Sequence, residues 1–204
     1  MGIAILDYGL GNLRSVQKAF ERVGVAAAIT SDPNVAYSAT GLVLPGVGAF
    51  KDGMERLRAT QLDQVVRQFV MTDRPILGIC LGMQLLFASS TEDGYHYGLH
   101  LFGGKVVRFP TTSGHKVPHM GWNTVMRTGK GTLLSDLPSP SWMYFVHSYY
   151  VVPTDSDLIC LATDYAGVTF CSGFERGRLL AVQFHPEKSQ AAGRSILHKF
   201  ATLC

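Results

Sequence analysis

Along the first half of the chain, short unbroken apolar runs trade places with stretches in which apolar residues return every three or four positions, the periods of buried strands and amphipathic helices. Residues 3–6 predict a strand that runs through Asp7-Tyr8-Gly9-Leu10-Gly11-Asn12 into a helix over about 13–23, stopped by Gly24. A strand over 25–30, a turn opened by Asp32-Pro33 and a strand over 41–44 follow, the last ending in Pro45-Gly46-Val47-Gly48. A helix over about 61–71 leads through Arg74-Pro75 to an apolar run that breaks at Gly78-Ile79-Cys80-Leu81-Gly82. Leu81, Leu85 and Leu86 then recur as on one helix face. After a polar, Gly-bearing segment over 91–100, the rhythm changes to successive strands, predicted over 101–109, 122–127, 142–146, 158–163, 168–174 and 179–184. A closing helix over about 191–203 turns Ile196, Leu197 and Phe200 inward. The expected fold is α/β: a doubly wound, mostly parallel sheet with helices on both faces, extended by antiparallel strands in the second half.

Composition narrows this picture. With 204 residues and 47% hydrophobic content the chain suffices for a single domain, 1–204. Charged residues are 16%, the formal net charge is +3, and no block of consecutive Lys or Arg occurs, so nucleic acid is not an expected partner. Arg176-Gly177-Arg178 reads as a solvated turn. The first residues lack the basic region and apolar length of a secretory signal, and no run reaches the ~18 apolar residues of a membrane helix. Four cysteines without a Cys-x-x-Cys pair predict reduced thiols in the cytoplasm and no zinc site. Gly9-Leu10-Gly11 would need a third glycine where Arg14 stands, so the dinucleotide fingerprint fails and no cofactor is expected.

Strand, Gly-x-Cys-x-Gly and helix together suggest an elbow that presents Cys80 at a sharp turn, with Gly78 and Gly82 relieving the crowding on either side. At a helix N-terminus, partial positive charge favours a thiolate. The other reading of this stretch alone is a buried core cysteine. Both the elbow and Pro45-Gly46-Val47-Gly48 end a strand, where open α/β sheets bind ligands. Seven histidines are candidates for a base. His96, His100, His115, His119 and His198 fall in polar, Gly/Pro-rich or helical segments and are expected to be exposed, whereas His147 follows an apolar strand and is placed to line the crevice. His185 stands at the end of 179–184, and Pro186 biases it towards extended backbone. Residues two apart then share a side, so Glu187 can bond one ring nitrogen and leave the other for the thiol. Cys80, His185 and Glu187 make a candidate triad.

Gly78-Ile79-Cys80-Leu81-Gly82-Met83-Gln84 with Phe184-His185-Pro186-Glu187 resembles the glutaminase domain of the class I, triad-type glutamine amidotransferases. Asp7-Tyr8-Gly9 with Asn12-Leu13, Pro45-Gly46-Val47-Gly48, Pro118-His119-Met120-Gly121-Trp122-Asn123 and His185-Pro186-Glu187-Lys188-Ser189 are similar to signatures of one subfamily, the glutaminase subunits of imidazole glycerol phosphate synthase in histidine biosynthesis. The resemblance implies that Cys80 attacks the side-chain amide of glutamine, that His185 protonates the departing ammonia, and that Glu187 orients His185. It implies oxyanion donors at Leu81 and Val47, and a glutamine site formed by Gln84, Gly48, Ser148, Tyr149 and a carboxylate at Glu92, with Asp93 adjacent. It further implies a heterodimer with a cyclase subunit, a (β/α)₈ barrel that takes the ammonia, contacted by Asn12, Met120, Trp122 and Lys188. Pro118 and Gly121 break the helix and strand periods there, so an exposed contact loop is expected. Val47 stands where many amidotransferases carry glycine. A β-branched residue resists positive φ, leaving Gly46 as the pivot of the Gly46-Val47 peptide. Three other readings keep the scaffold: a glutaminase subunit for another acceptor synthase, a stand-alone cysteine hydrolase, and a binding module without chemistry. The intact Cys80, His185 and Glu187 argue against the last.

Overall fold

The computed structural model describes residues 2–111 and 114–204. The first half alternates strands and helices, two of which, α2 and α3, the apolar periods do not predict: β1 (Ile3–Leu6), α1 (Leu13–Arg22), β2 (Ala27–Thr30), α2 (Pro33–Tyr37), β3 (Gly41–Leu44), α3 (Phe50–Ala59), α4 (Leu62–Met71), β4 (Ile76–Ile79) and α5 (Leu81–Leu85). Strands then dominate: β5 (Phe87–Ser90), β6 (His96–Tyr97), β7 (Phe102–Arg108), β8 (His119–Arg127), β9 (Ser141–His147), β10 (Tyr149–Pro153), β11 (Ile159–Tyr165), β12 (Val168–Arg176) and β13 (Leu179–Val182), before the closing helix α6 (Gln190–Ala201).

Parallel strands in the order β2-β1-β3-β4-β13 form one half of the sheet. Antiparallel β12 and β10 extend it towards β7, β5 and β6. A β8–β9 ribbon is attached through β11, which pairs with β12. β1, β3, β4 and β13 are buried throughout, as continuous aliphatic runs covered on both faces must be. The period of two divides them between two cores. Ala4, Leu6, Leu42 and Leu44 pack with α2 to α5, while Ile3, Ile5 and Val43 pack with α1 and α6. In the first core Phe174 meets Phe87 and Phe102 edge-on, with ring centroids 5.1 and 4.9 Å away.

Four departures from the predicted pattern have physical causes. α3 escapes the sequence because Gly53 sits mid-helix. A Cβ there would lie 3.1 Å from Leu81 Cδ2, so the glycine serves close packing of α3 on α5. The helix after Cys80 stops at Leu85, and Phe87 already opens β5, which pairs with β7. β10 hides in the sequence because a single residue, Ser148, separates it from β9. The segment expected to be a contact loop is the start of β8: His119 opens the strand, and pairing with β9 overrides the weak propensity of Gly121.

Phe174→Ala should lower the unfolding free energy by ~3–5 kcal/mol, whereas Met71→Ala, at a side chain 82% exposed, should change it by less than ~0.5 kcal/mol. Urea denaturation of the two variants measures this, and equal midpoints would remove Phe174 from the core.

Candidate active site

Cys80 leaves β4 with its N–H bonded to the Val182 carbonyl at 2.8 Å, and its backbone turns sharply, φ 55° and ψ −111°. That conformation is costly for a residue with a side chain. It is accommodated because the neighbours have none: a Cβ on Gly82 would overlap the Leu44 carbonyl, and one on Gly78 would stand 3.0 Å from Ala181 Cβ. The elbow turns Cys80 into a cavity of about 390 Å³, within the range of small-ligand sites. Leu81, Val47, Gly48, Gln84, Glu92, Ser148 and Tyr149 line the same cavity. A second cleft, about 480 Å³, between Leu133–Leu137 and α6 shares none of these residues.

Every residue singled out for the oxyanion or glutamine site therefore meets Cys80 at one place. Tyr8 Oη donates to the Pro45 carbonyl at 2.5 Å and anchors the loop after β3. Val47 takes no positive φ, which falls instead to Gly48 at 98°. Gly46 is enclosed, since a side chain would overlap the Tyr8 hydroxyl and lie 2.9 Å from Leu81 Cβ. Of the adjacent carboxylates, Glu92 lines the cavity and Asp93 is exposed. Glu92 Oε2 accepts the Phe50 N–H at 2.7 Å, and burial raises its pKa.

His185 and Glu187 stand behind the thiol, buried. The His185 N–H bonds the Tyr144 carbonyl at 2.9 Å, and Ser189 Oγ donates to the His185 carbonyl at 2.6 Å. His185 Nδ1 donates to Glu187 Oε1 at 2.9 Å, which fixes the tautomer. Nε2 has no hydrogen-bond partner among the described residues and is left to hold the proton of the thiol. Burial disfavours the charged ring, but the Cys80 thiolate and the Glu187 carboxylate outweigh it and push the His185 pKa up to about 10.

His119 departs from expectation: it is 3% exposed, and its Nδ1 lies 3.0 Å from Nε2 of His147, which lines the cavity. Burial holds His119 down to about 4; burial, with the charges of His119 and His185, holds His147 down to about 3 against the favourable Tyr149 carbonyl. The sequence concealed this pair because Gly- and Pro-rich surroundings read as loop. The alternation of β8 against β9, with His119 opposite His147, is the signal that identifies it. The same alternation turns Met120 and Trp122 outward, 63% and 44% exposed. Trp122 packs edge-on to Tyr144, with Lys188 Nζ 5.5 Å from that ring, and α1, which Asn12 caps, touches the Pro186–Lys188 turn.

The family model for class-I glutamine amidotransferases matches residues 4–203. The imidazole glycerol phosphate synthase subunit HisH of Syntrophotalea carbinolica is 50% identical over 98% of this chain and 100% of its own. That of Rhodopirellula baltica is 49% identical over 98% and 97%. Among solved structures, PurLQS from Thermotoga maritima superposes with a TM-score of 0.72 at 17% identity, covering 99% of this chain and 96% of that one, and so shares the fold.

The two neutral histidines make the protein acid-sensitive. Their folded pKa values lie below the ordinary 6.5, so the stability they contribute is complete above pH 6.5 and is lost as pH falls towards 4 and 3. His185 acts in the opposite sense: its contribution is complete below pH 6.5 and is lost as pH rises towards 10. Replacing His147 by Gln should flatten the acid limb by up to about 1.4 kcal/mol per pH unit. Urea midpoints at pH 7, 6 and 5 test it, and an unchanged slope would show that His147 is not held neutral.

Proposed function

The chain belongs to the class-I glutamine amidotransferases and, within them, to the HisH subunits of imidazole glycerol phosphate synthase; on that premise we propose that Cys80, His185 and Glu187 carry its glutaminase reaction. The observation that supports this most is the convergence of a strained cysteine and an unpartnered, buried Nε2 whose other nitrogen is bonded to a carboxylate. Glutamine lies with its carboxamide against Cys80 and its head group among Gly48, Gln84, Glu92, Ser148 and Tyr149. The proton of the Cys80 thiol rests on His185 Nε2, and Sγ attacks the amide carbon as the thiolate. The oxyanion takes the N–H groups of Leu81 and Val47. His185 gives its proton to the departing nitrogen, ammonia leaves, and a thioester remains. Water, deprotonated by His185, attacks the thioester carbon; glutamate departs and the thiolate is restored. Glu187 keeps Nδ1–H in place throughout.

Ammonia passes to a cyclase subunit, a (β/α)₈ barrel, that seats on the outer face of the β8–β9 ribbon, with Asn12, Met120, Trp122 and Lys188 in the contact. The exposure of Met120 and Trp122, joined by Trp142 at 61%, supports an apolar docking face. The whole chain acts as one domain in the cytoplasm, where Cys80 stays reduced.

Regulation resides in the loop after β3. At rest the Gly46-Val47 peptide points its carbonyl into the crevice, and partner and ligand binding turn its N–H towards the oxyanion. A missing donor worth ~2.7–4 kcal/mol sets a minimum stimulation of roughly a hundredfold to a thousandfold. Because any side chain at Gly46 collides with Tyr8, the informative substitution is Val47→Gly, which frees the peptide without adding bulk. It should raise glutaminase activity in the isolated chain and shrink the stimulation by the cyclase. Equal stimulation in parent and variant would sink the switch. Separately, Cys80→Ser should abolish glutamine hydrolysis with the thermal midpoint retained, and a near-parental rate would remove Cys80 as nucleophile.

A further inference from the structure

We infer that Gln183 is a further residue of the catalytic machinery: its side-chain amide donates an N–H to Cys80 Sγ and favours the thiolate. The inference rests on Cys80 being the nucleophile, as proposed above. Gln183 is fully buried one residue beyond β13, its own N–H bonded to the Ser172 carbonyl at 2.9 Å, and its Nε2 lies 3.6 Å from Sγ.

The direction of that contact follows from a carbonyl. The Tyr149 carbonyl can only accept, so the Gln84 amide atom 3.0 Å from it is Nε2, a donor. The other hydrogen of the same nitrogen goes to Gln183 at 3.0 Å, which must therefore present Oε1. Its Nε2 is left for the sulfur. Flipping the Gln183 amide would set two N–H groups against each other and an oxygen against Sγ. The Tyr149 carbonyl also takes the His147 Nδ1–H at 2.8 Å, so neutral His147 accepts from His119 Nδ1–H, and His119 Nε2 accepts from Asn123 Nδ2 at 3.2 Å. One connected set of hydrogen bonds thus fixes each amide and ring, from Asn123 on β8 to the nucleophile. A hydrogen bond to an ionised acceptor is about twice as strong as one to a neutral acceptor, so this donor lowers the energy of the thiolate more than that of the thiol.

The test is the pH profile of Cys80 alkylation by iodoacetamide, read on the Cys80 peptide by mass spectrometry because the exposed Cys204 also reacts. In Gln183→Met the midpoint should rise and the rate at pH 7 should fall about tenfold. Gln183→Glu keeps the volume and the acceptor for Gln84 but turns an oxygen towards Sγ, so its fall should be at least as large. A space-filling role for Gln183 predicts a parental profile in the neutral, similarly sized Gln183→Met, and that result overturns the inference. Should both variants fail to fold, Gln84→Met keeps Gln183 but frees its amide to turn. The midpoint should rise there too, and an unmoved midpoint would likewise overturn it. Glutamine hydrolysis by Cys80→Ser would defeat the nucleophile, whereas an unmoved alkylation profile beside a dead Cys80→Ser defeats the role of Gln183 alone.

Discussion

The left-handed turn at Cys80 is the constraint on which the site depends. Strain of this kind costs about 1–3 kcal/mol and persists only where the surroundings over-determine it. Here β4 is held between β3 and β13, both parallel to it, and Cys80 continues the ladder through the Val182 carbonyl. The same two neighbours supply the remaining groups. β3 ends in the loop that carries Val47 and Gly48, and β13 runs on to Gln183 and His185. Parallel pairing brings all three strand ends to one level, so the residues beyond them meet without a long loop to hold them.

Histidines buried to a similar degree take opposite charge states according to their neighbours. His185 faces a carboxylate and a thiolate and gains proton affinity, while His119 and His147 face each other, a carbonyl and aromatic rings, and lose it. An orphaned Nε2 on the first and a complete set of partners on the second pair divide them functionally. The unsatisfied atom belongs to the ring that has to exchange a proton; the satisfied ones belong to rings that have to stay still.

Much of this was legible in the sequence because it depends on local pattern. Aliphatic runs mark buried strands, Gly-x-Cys-x-Gly marks the elbow, and His185-Pro186-Glu187 places base and orienting carboxylate on one side of an extended backbone. What stayed hidden depends on partners distant along the chain. Gln183 reads as one polar residue in an apolar run until Gln84 and Tyr149 are brought beside it. His119 reads as loop until β9 supplies the opposite strand, and α3 reads as broken until α5 shows why Gly53 has to be small.

The β8 strand presents unlike neighbours to its alternate residues: His119 and Asn123 turn to the buried bonds, Met120 and Trp122 to the outside. A strand repeats every two residues, so inserting or deleting one residue within 119–123 would exchange the two sets, drawing bulky apolar groups inward and the imidazole into water. A change of chain length is therefore borne by the ends of the ribbon, because in its middle the number of residues, more than their identity, decides which side each one faces.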